Sequence, residues 1–108
     1  MAIWRRAARR DENHAEIVFA LRACGASVVS LSAPGVPDLL VGWVQRDGTR
    51  RMELVEVKRP KGKRGGGGGQ LTPAQSEFMR TWKGHRPWVV TNALEAVAVL
   101  GFTPDEDP

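Results

Sequence analysis

Pro37-Asp38-Leu39-Leu40-Val41-Gly42-Trp43-Val44, followed after a short polar break by Met52-Glu53-Leu54-Val55-Glu56-Val57-Lys58, is the stretch that decides the fold. Both runs are rich in β-branched and aliphatic residues and read as strands, with Asp47-Gly48 marking the turn between them. The charges at their ends are out of place. Strand interiors disfavour charge, and burying an unpaired carboxylate costs several kcal/mol. Asp38 at the start of one strand, with Glu56 and Lys58 at the end of the next, therefore need a partner. A divalent cation meets that need, because it neutralises the carboxylates and leaves the lysine free.

The hairpin register decides whether these charges meet. A two-residue loop sets Asp38 opposite Val57 and on the wrong face from Glu56. A three-residue loop, Arg46-Asp47-Gly48 with Gly48 left-handed in a G1 bulge, sets Asp38 opposite Glu56 with both side chains on one face. The period of two then puts Leu54, Glu56 and Lys58 on that face and Glu53 on the other. The expectation is the bulged hairpin.

Outward from the hairpin, Ile17, Val18, Leu21 and Cys24 recur with helical spacing, predicting a helix from Asp11 to Cys24. Asp11 or Asn13 is its cap, Gly25 its stop, and Cys24 packs on its apolar stripe. Residues 26–31 read as a strand and 33–37 as a turn-rich loop. Thr72, Pro73 and Gln75 form a capping box that starts a second helix. Its apolar stripe is Ala74, Phe78 and Trp82, and Gly84 ends it. Trp88-Val89-Val90-Thr91 is a short strand. Asn92 and Glu95 open a third helix, closed by Gly101. The predicted order is α-β-β-β-α-β-α. Trp43, Trp82 and Trp88 are expected in the core, and His14 and His85 are expected to be neither ligands nor bases.

Composition bounds the function. The 108 residues suit one domain with a modest core. A single cysteine excludes an internal disulfide and a cysteine-rich zinc site. No apolar run reaches membrane-spanning length and no signal-peptide core is present, so the expectation is a cytoplasmic protein without a membrane partner. The net charge of +4 points to a polyanion. Arg5, Arg6, Arg9 and Arg10 form a basic N-terminal arm over residues 1–10. Arg59, Lys61, Lys63 and Arg64 follow the site, and Arg9, Arg10 and these four are the candidate nucleic-acid contacts. Gly65 to Gly69 is a five-glycine run without the ending of a phosphate-binding loop. Residues 102–108 form an acidic tail, read as solvated.

Taken together, Glu16 in the first helix, Gly35-Val36-Pro37-Asp38-Leu39-Leu40-Val41-Gly42, Glu53-Leu54-Val55-Glu56-Val57-Lys58 and Gln70-Leu71-Thr72-Pro73-Ala74-Gln75 resemble the PD-(D/E)XK nuclease superfamily. The match is closest to its small stand-alone VRR-NUC branch, of phage and prophage type and related to Holliday-junction resolvases. It covers roughly residues 11–101. The resemblance implies a restriction-endonuclease-like α/β fold, with a mixed sheet of about four strands flanked by helices. It implies a DNA endonuclease dependent on Mg2+ or Mn2+, selective for branched or junction DNA and acting as a homodimer. Asp38, Glu56, the Val57 carbonyl and Glu16 would hold the metal, and Lys58 and Gln75 would join Asp38, Glu56 and Glu16 in catalysis. A non-catalytic nucleic-acid-binding protein on the same scaffold is the alternative. The glycine run departs from the family pattern.

Overall fold

The computed structural model describes residues 12–59 and 70–101. Within them the chain is α/β: α1 (Glu12–Ala23), β1 (Ser27–Ser30), β2 (Leu39–Val44), β3 (Arg50–Val57), α2 (Pro73–Thr81), β4 (Trp88–Val90) and α3 (Ala93–Val99). The four strands form one sheet in the order β1-β2-β3-β4, with the first two pairings antiparallel and β3–β4 parallel. The parallel pairing follows from the crossover between β3 and β4, which contains α2. No described helix is long and apolar enough to cross a membrane. The basic arm, the residues 61–69 loop and the acidic tail lie outside the described residues.

The β2–β3 register is the one the bulged turn requires. Leu39 pairs with Val55, Val41 with Glu53 and Val44 with Arg50. Gln45 and Thr49 close the loop, the Gln45 N–H donating to the Thr49 carbonyl at 2.8 Å and the Gly48 N–H to the Gln45 carbonyl at 2.8 Å. Gly48 has φ 88°, a conformation open to glycine at little cost. Asp47 tightens the turn by accepting the Thr49 N–H, and that bond lowers its pKa.

Strand alternation separates the sheet into two unlike faces. One carries Val28, Leu39, Val41, Val55 and Val90, all buried, and packs with Ile17 and Leu21 of α1 and Ala96 and Val99 of α3 in the core. The other carries Val29, Val44, Met52 and Val89, each 44% exposed or more, and no described helix buries them. Asp38, Glu56 and Lys58 fall on this second face. α1 ends in a Schellman arrangement, with Ala26 N–H on the Leu21 carbonyl and Gly25 N–H on the Arg22 carbonyl.

Several sequence expectations need correction. Cys24 is exposed rather than packed, because α1 ends at Ala23 and Cys24 falls in the turn that closes it. α2 has no buried residue, so its apolar stripe is not a core face, and Trp82 is 45% exposed. The helix stops at Thr81, with Trp82 as its C-cap, before Gly84. Asn13 lies inside α1 and does not cap it. Asn92 caps α3 as expected, but the reciprocal bond from Glu95 goes to Thr91.

Candidate active site

Pro37 is fully buried and introduces Asp38 at the edge of β2. Extending the strand register by one residue sets Asp38 opposite Glu56. The Asp38 carboxylate accepts the Val57 N–H through Oδ2 at 2.8 Å. That bond ties the start of β2 to the end of β3 and fixes the aspartate beside the glutamate.

Glu56 is the electrostatic centre of the site. It is 2% exposed. Its Oε2 accepts from Gln75 Nε2 at 2.9 Å and lies 3.8 Å from Lys58 Nζ, while its Oε1 is buried with no hydrogen-bond donor. Burial, then the neighbouring Asp38 charge, pushes the Glu56 carboxyl up to about 8, against an opposing pull from Lys58. Two adjacent carboxylates with one uncompensated oxygen form an electronegative niche at the end of β3.

Gln75 connects the niche to α2. Its backbone N–H donates to Thr72 Oγ1 at 3.2 Å, and its side-chain Oε1 accepts the Thr72 N–H at 2.9 Å. The capping box is therefore present as the sequence predicts. The same Oε1 also accepts from Lys58 Nζ at 2.6 Å, while Nε2 holds Glu56. One carboxamide thus both caps a helix and bridges the Glu56 carboxyl and the Lys58 amine. The helix comes close enough because residue 35 is glycine. Gly35 has φ 78°, and a Cβ there would lie 3.0 Å from Ala74 Cβ.

Glu16 is exposed on α1, and no hydrogen bond or ion pair joins it to Asp38 or Glu56. Arg59 is exposed directly after Lys58. Arg9, Arg10, Lys61, Lys63 and Arg64 lie outside the described residues. Among the described residues, no group of three His, Cys, Asp or Glu side chains is gathered to hold a metal. The adjacent hard oxygen donors that the described site offers a cation are the carboxylates of Asp38 and Glu56, the latter with its orphaned Oε1.

Sequence reading missed two polar anchors. Asn13 Nδ2 donates to the Lys58 carbonyl at 2.9 Å and to the Thr91 carbonyl at 3.1 Å, joining α1 to the ends of both parallel strands. Glu53, on the core face as its spacing requires, is buried against His85 Nδ1 at 2.6 Å and Trp88 Nε1 at 2.9 Å. His85 thus has a structural carboxylate partner. Only the alternation that turned Glu53 inward hinted at this, since a buried carboxylate must be paired.

Comparison with protein-family models, curated proteins and solved structures finds no match to this chain.

Proposed function

We propose that this chain is a phosphodiester hydrolase, and specifically a DNA endonuclease dependent on Mg2+ or Mn2+ that selects branched or junction DNA. The observation that carries the reading is the interlocked set Asp38–Glu56–Lys58–Gln75, with Glu56 Oε1 buried and lacking a donor. A buried carboxylate oxygen without a donor calls for a partner, and a cation held between Glu56 and Asp38 would supply one. The resemblance to PD-(D/E)XK nucleases, through Pro37-Asp38 and Glu56-Val57-Lys58, supports the same conclusion.

Each side chain has a definable task. Asp38 and Glu56 supply adjacent hard oxygens as the donors of a cation site. The cation bound there would neutralise phosphate charge and activate water. Lys58 holds a positive charge beside the carboxylates, placed to stabilise charge that develops on the phosphate or to orient the attacking water. Gln75 fixes Lys58 Nζ and Glu56 Oε2 relative to each other, so neither has to reorganise during the reaction.

One site in a small domain cuts one strand, and a symmetric pair suits a branched substrate. The homodimer is proposed from the family resemblance alone.

The test is an incubation of the full chain with a four-way junction, a duplex and single-stranded DNA in Mg2+, Mn2+ or EDTA. Metal-dependent cutting that is lost in Asp38→Ala and Lys58→Ala supports the reading. Tight binding without cutting in any metal replaces it with a non-catalytic nucleic-acid-binding protein.

A further inference from the structure

We infer that Trp82 is a stacking platform for an unpaired nucleobase a few nucleotides from the cut phosphate, flanked by cations for the strand's backbone. The identity of the strand rests on the nuclease reading; the platform itself rests on the geometry at the end of α2.

Trp82 is 45% exposed, whereas Trp43 is half-buried and Trp88 is buried. Its indole is nevertheless held in place. Phe78, one helical turn earlier, stacks on it with ring centroids 5.1 Å apart and planes 17° from parallel. The other constraint is Gly84, where a Cβ would come within 2.6 Å of Trp82 Nε1 and 3.0 Å of Cε2. The indole edge therefore lies flush on the backbone at residue 84. A ring fixed before binding loses little entropy when a base stacks on it.

The surroundings suit a nucleic-acid strand. A groove of about 470 Å3 runs along this side of α2, bordered by Leu71, Met79, Arg80, Gly84 and Arg86. Arg80 is shared with Glu77 at 2.6 Å, while Lys83 and Arg86 make no ion pair among the described residues. An aromatic face amid basic side chains is the arrangement that binds single strands, with bases stacking and phosphates meeting cations.

Distance links this platform to the catalytic end. Gln75 and Trp82 lie on one helix, so their separation along its axis is about 10 Å at 1.5 Å per residue. That equals about three stacked nucleotides at 3.4 Å each. A strand whose phosphate sits at Asp38 and Glu56 therefore reaches Trp82 within a few nucleotides. A base inside a duplex is stacked on both faces, so the platform takes unpaired bases and gives a physical route to structure selectivity.

The test is fluorescence anisotropy of the full chain in EDTA with two labelled DNAs, a short duplex and the same duplex carrying a short unpaired flap. Trp82→Ala is expected to weaken flap binding about 5- to 100-fold and to leave duplex binding unchanged. Trp82→Phe, which keeps a stacking face, is expected to bind the flap nearly as well as wild type, and it also controls for misfolding. Arg86→Ala is expected to weaken both DNAs alike and to reduce the salt slope by about 1. Equal loss on both DNAs in Trp82→Ala, or no loss on either, overturns the inference. A Trp82-dependent flap preference without cutting leaves the platform standing while the nuclease reading falls. Cutting with no effect of Trp82→Ala does the reverse.

Discussion

The metal-free protein should lose stability as pH rises through the range in which most proteins are most stable, and Glu56 should be the cause. The carboxyl of Glu56 is raised from 4.5 to about 8, by burial first and by Asp38 second. Between those values the folded chain holds a proton that the unfolded chain has released. The native state binds more protons, so stability falls with rising pH from about 4.5 and levels off above about 8. Each tenfold change in proton affinity is worth about 1.36 kcal/mol, which sets a ceiling of about 5 kcal/mol for the full interval. Water entry and movement of Lys58 toward the forming charge reduce this, leaving roughly 2–4 kcal/mol. For a domain of this size that is a fall in Tm of about 8 °C or more.

The perturbation is Glu56→Gln. The amide oxygen can accept from Gln75 Nε2 as Oε2 does, and the amide nitrogen can donate to the neighbouring Asp38 carboxylate as the protonated carboxyl does. The variant should match wild type near pH 5 and be more stable by about 2 kcal/mol or more at pH 9. The assay is thermal melting by circular dichroism in EDTA from pH 5 to 9, followed by titration of Mg2+ at pH 9. The wild type should regain stability with metal, because binding to the folded state alone adds to it; Glu56→Gln should not. Parallel pH curves for the two proteins, or a difference that shrinks toward high pH, refute the assignment of Glu56 as a buried acid strained by its own charge.

Gly35→Ala should displace α2, since the new Cβ meets Ala74 at 3.0 Å in a left-handed backbone. A loss of about 1–2 kcal/mol in urea melts is expected, together with reduced cutting through misplaced Gln75. Asn13→Ala removes two bonds that tie α1 to the ends of β3 and β4, and should cost about 1–3 kcal/mol by denaturant unfolding. His85→Ala strips one of two partners from the buried Glu53 carboxylate and should cost about 3 kcal/mol. Adding Glu53→Gln to His85→Ala should recover part of that loss, measured as a double-mutant cycle.

The hairpin was legible because two local rules agree on it. Strand alternation demands that Asp38 and Glu56 share a face, and turn chemistry offers the glycine that makes this register possible. Gly48 at φ 88° and the Leu39–Val55 pairing are the joint result. The capping box at Thr72 and Gln75 was equally legible, being local in sequence. The place of Gln75 in the site was legible only through the family resemblance, because its bonds to Lys58 and Glu56 span 17 and 19 residues and leave no periodic trace. Glu53 and its partners are 32 and 35 residues apart and are hidden for the same reason.

The first helix shows most sharply where pattern reading stops. Apolar spacing identifies a helix, but the polar residue it turns toward the sheet depends on the rotation of the helix. Ile17 and Leu21, both fully buried, set that rotation. Asn13, four residues before Ile17, lies on the same face and reaches the Lys58 carbonyl. Glu16, one residue before Ile17, is turned about 100° aside at 3.6 residues per turn, and it is exposed. Ala20 and Ala23, at helical spacing from Glu16, are small enough to let that side approach the sheet. Ala23 is instead exposed, because burying two large aliphatic side chains outweighs the close approach that alanines permit. The polar contact from α1 to the strand end that carries Lys58 therefore runs through a carboxamide on a backbone carbonyl, and it fixes the lysine's main chain rather than adding a third charge to the carboxylate pair.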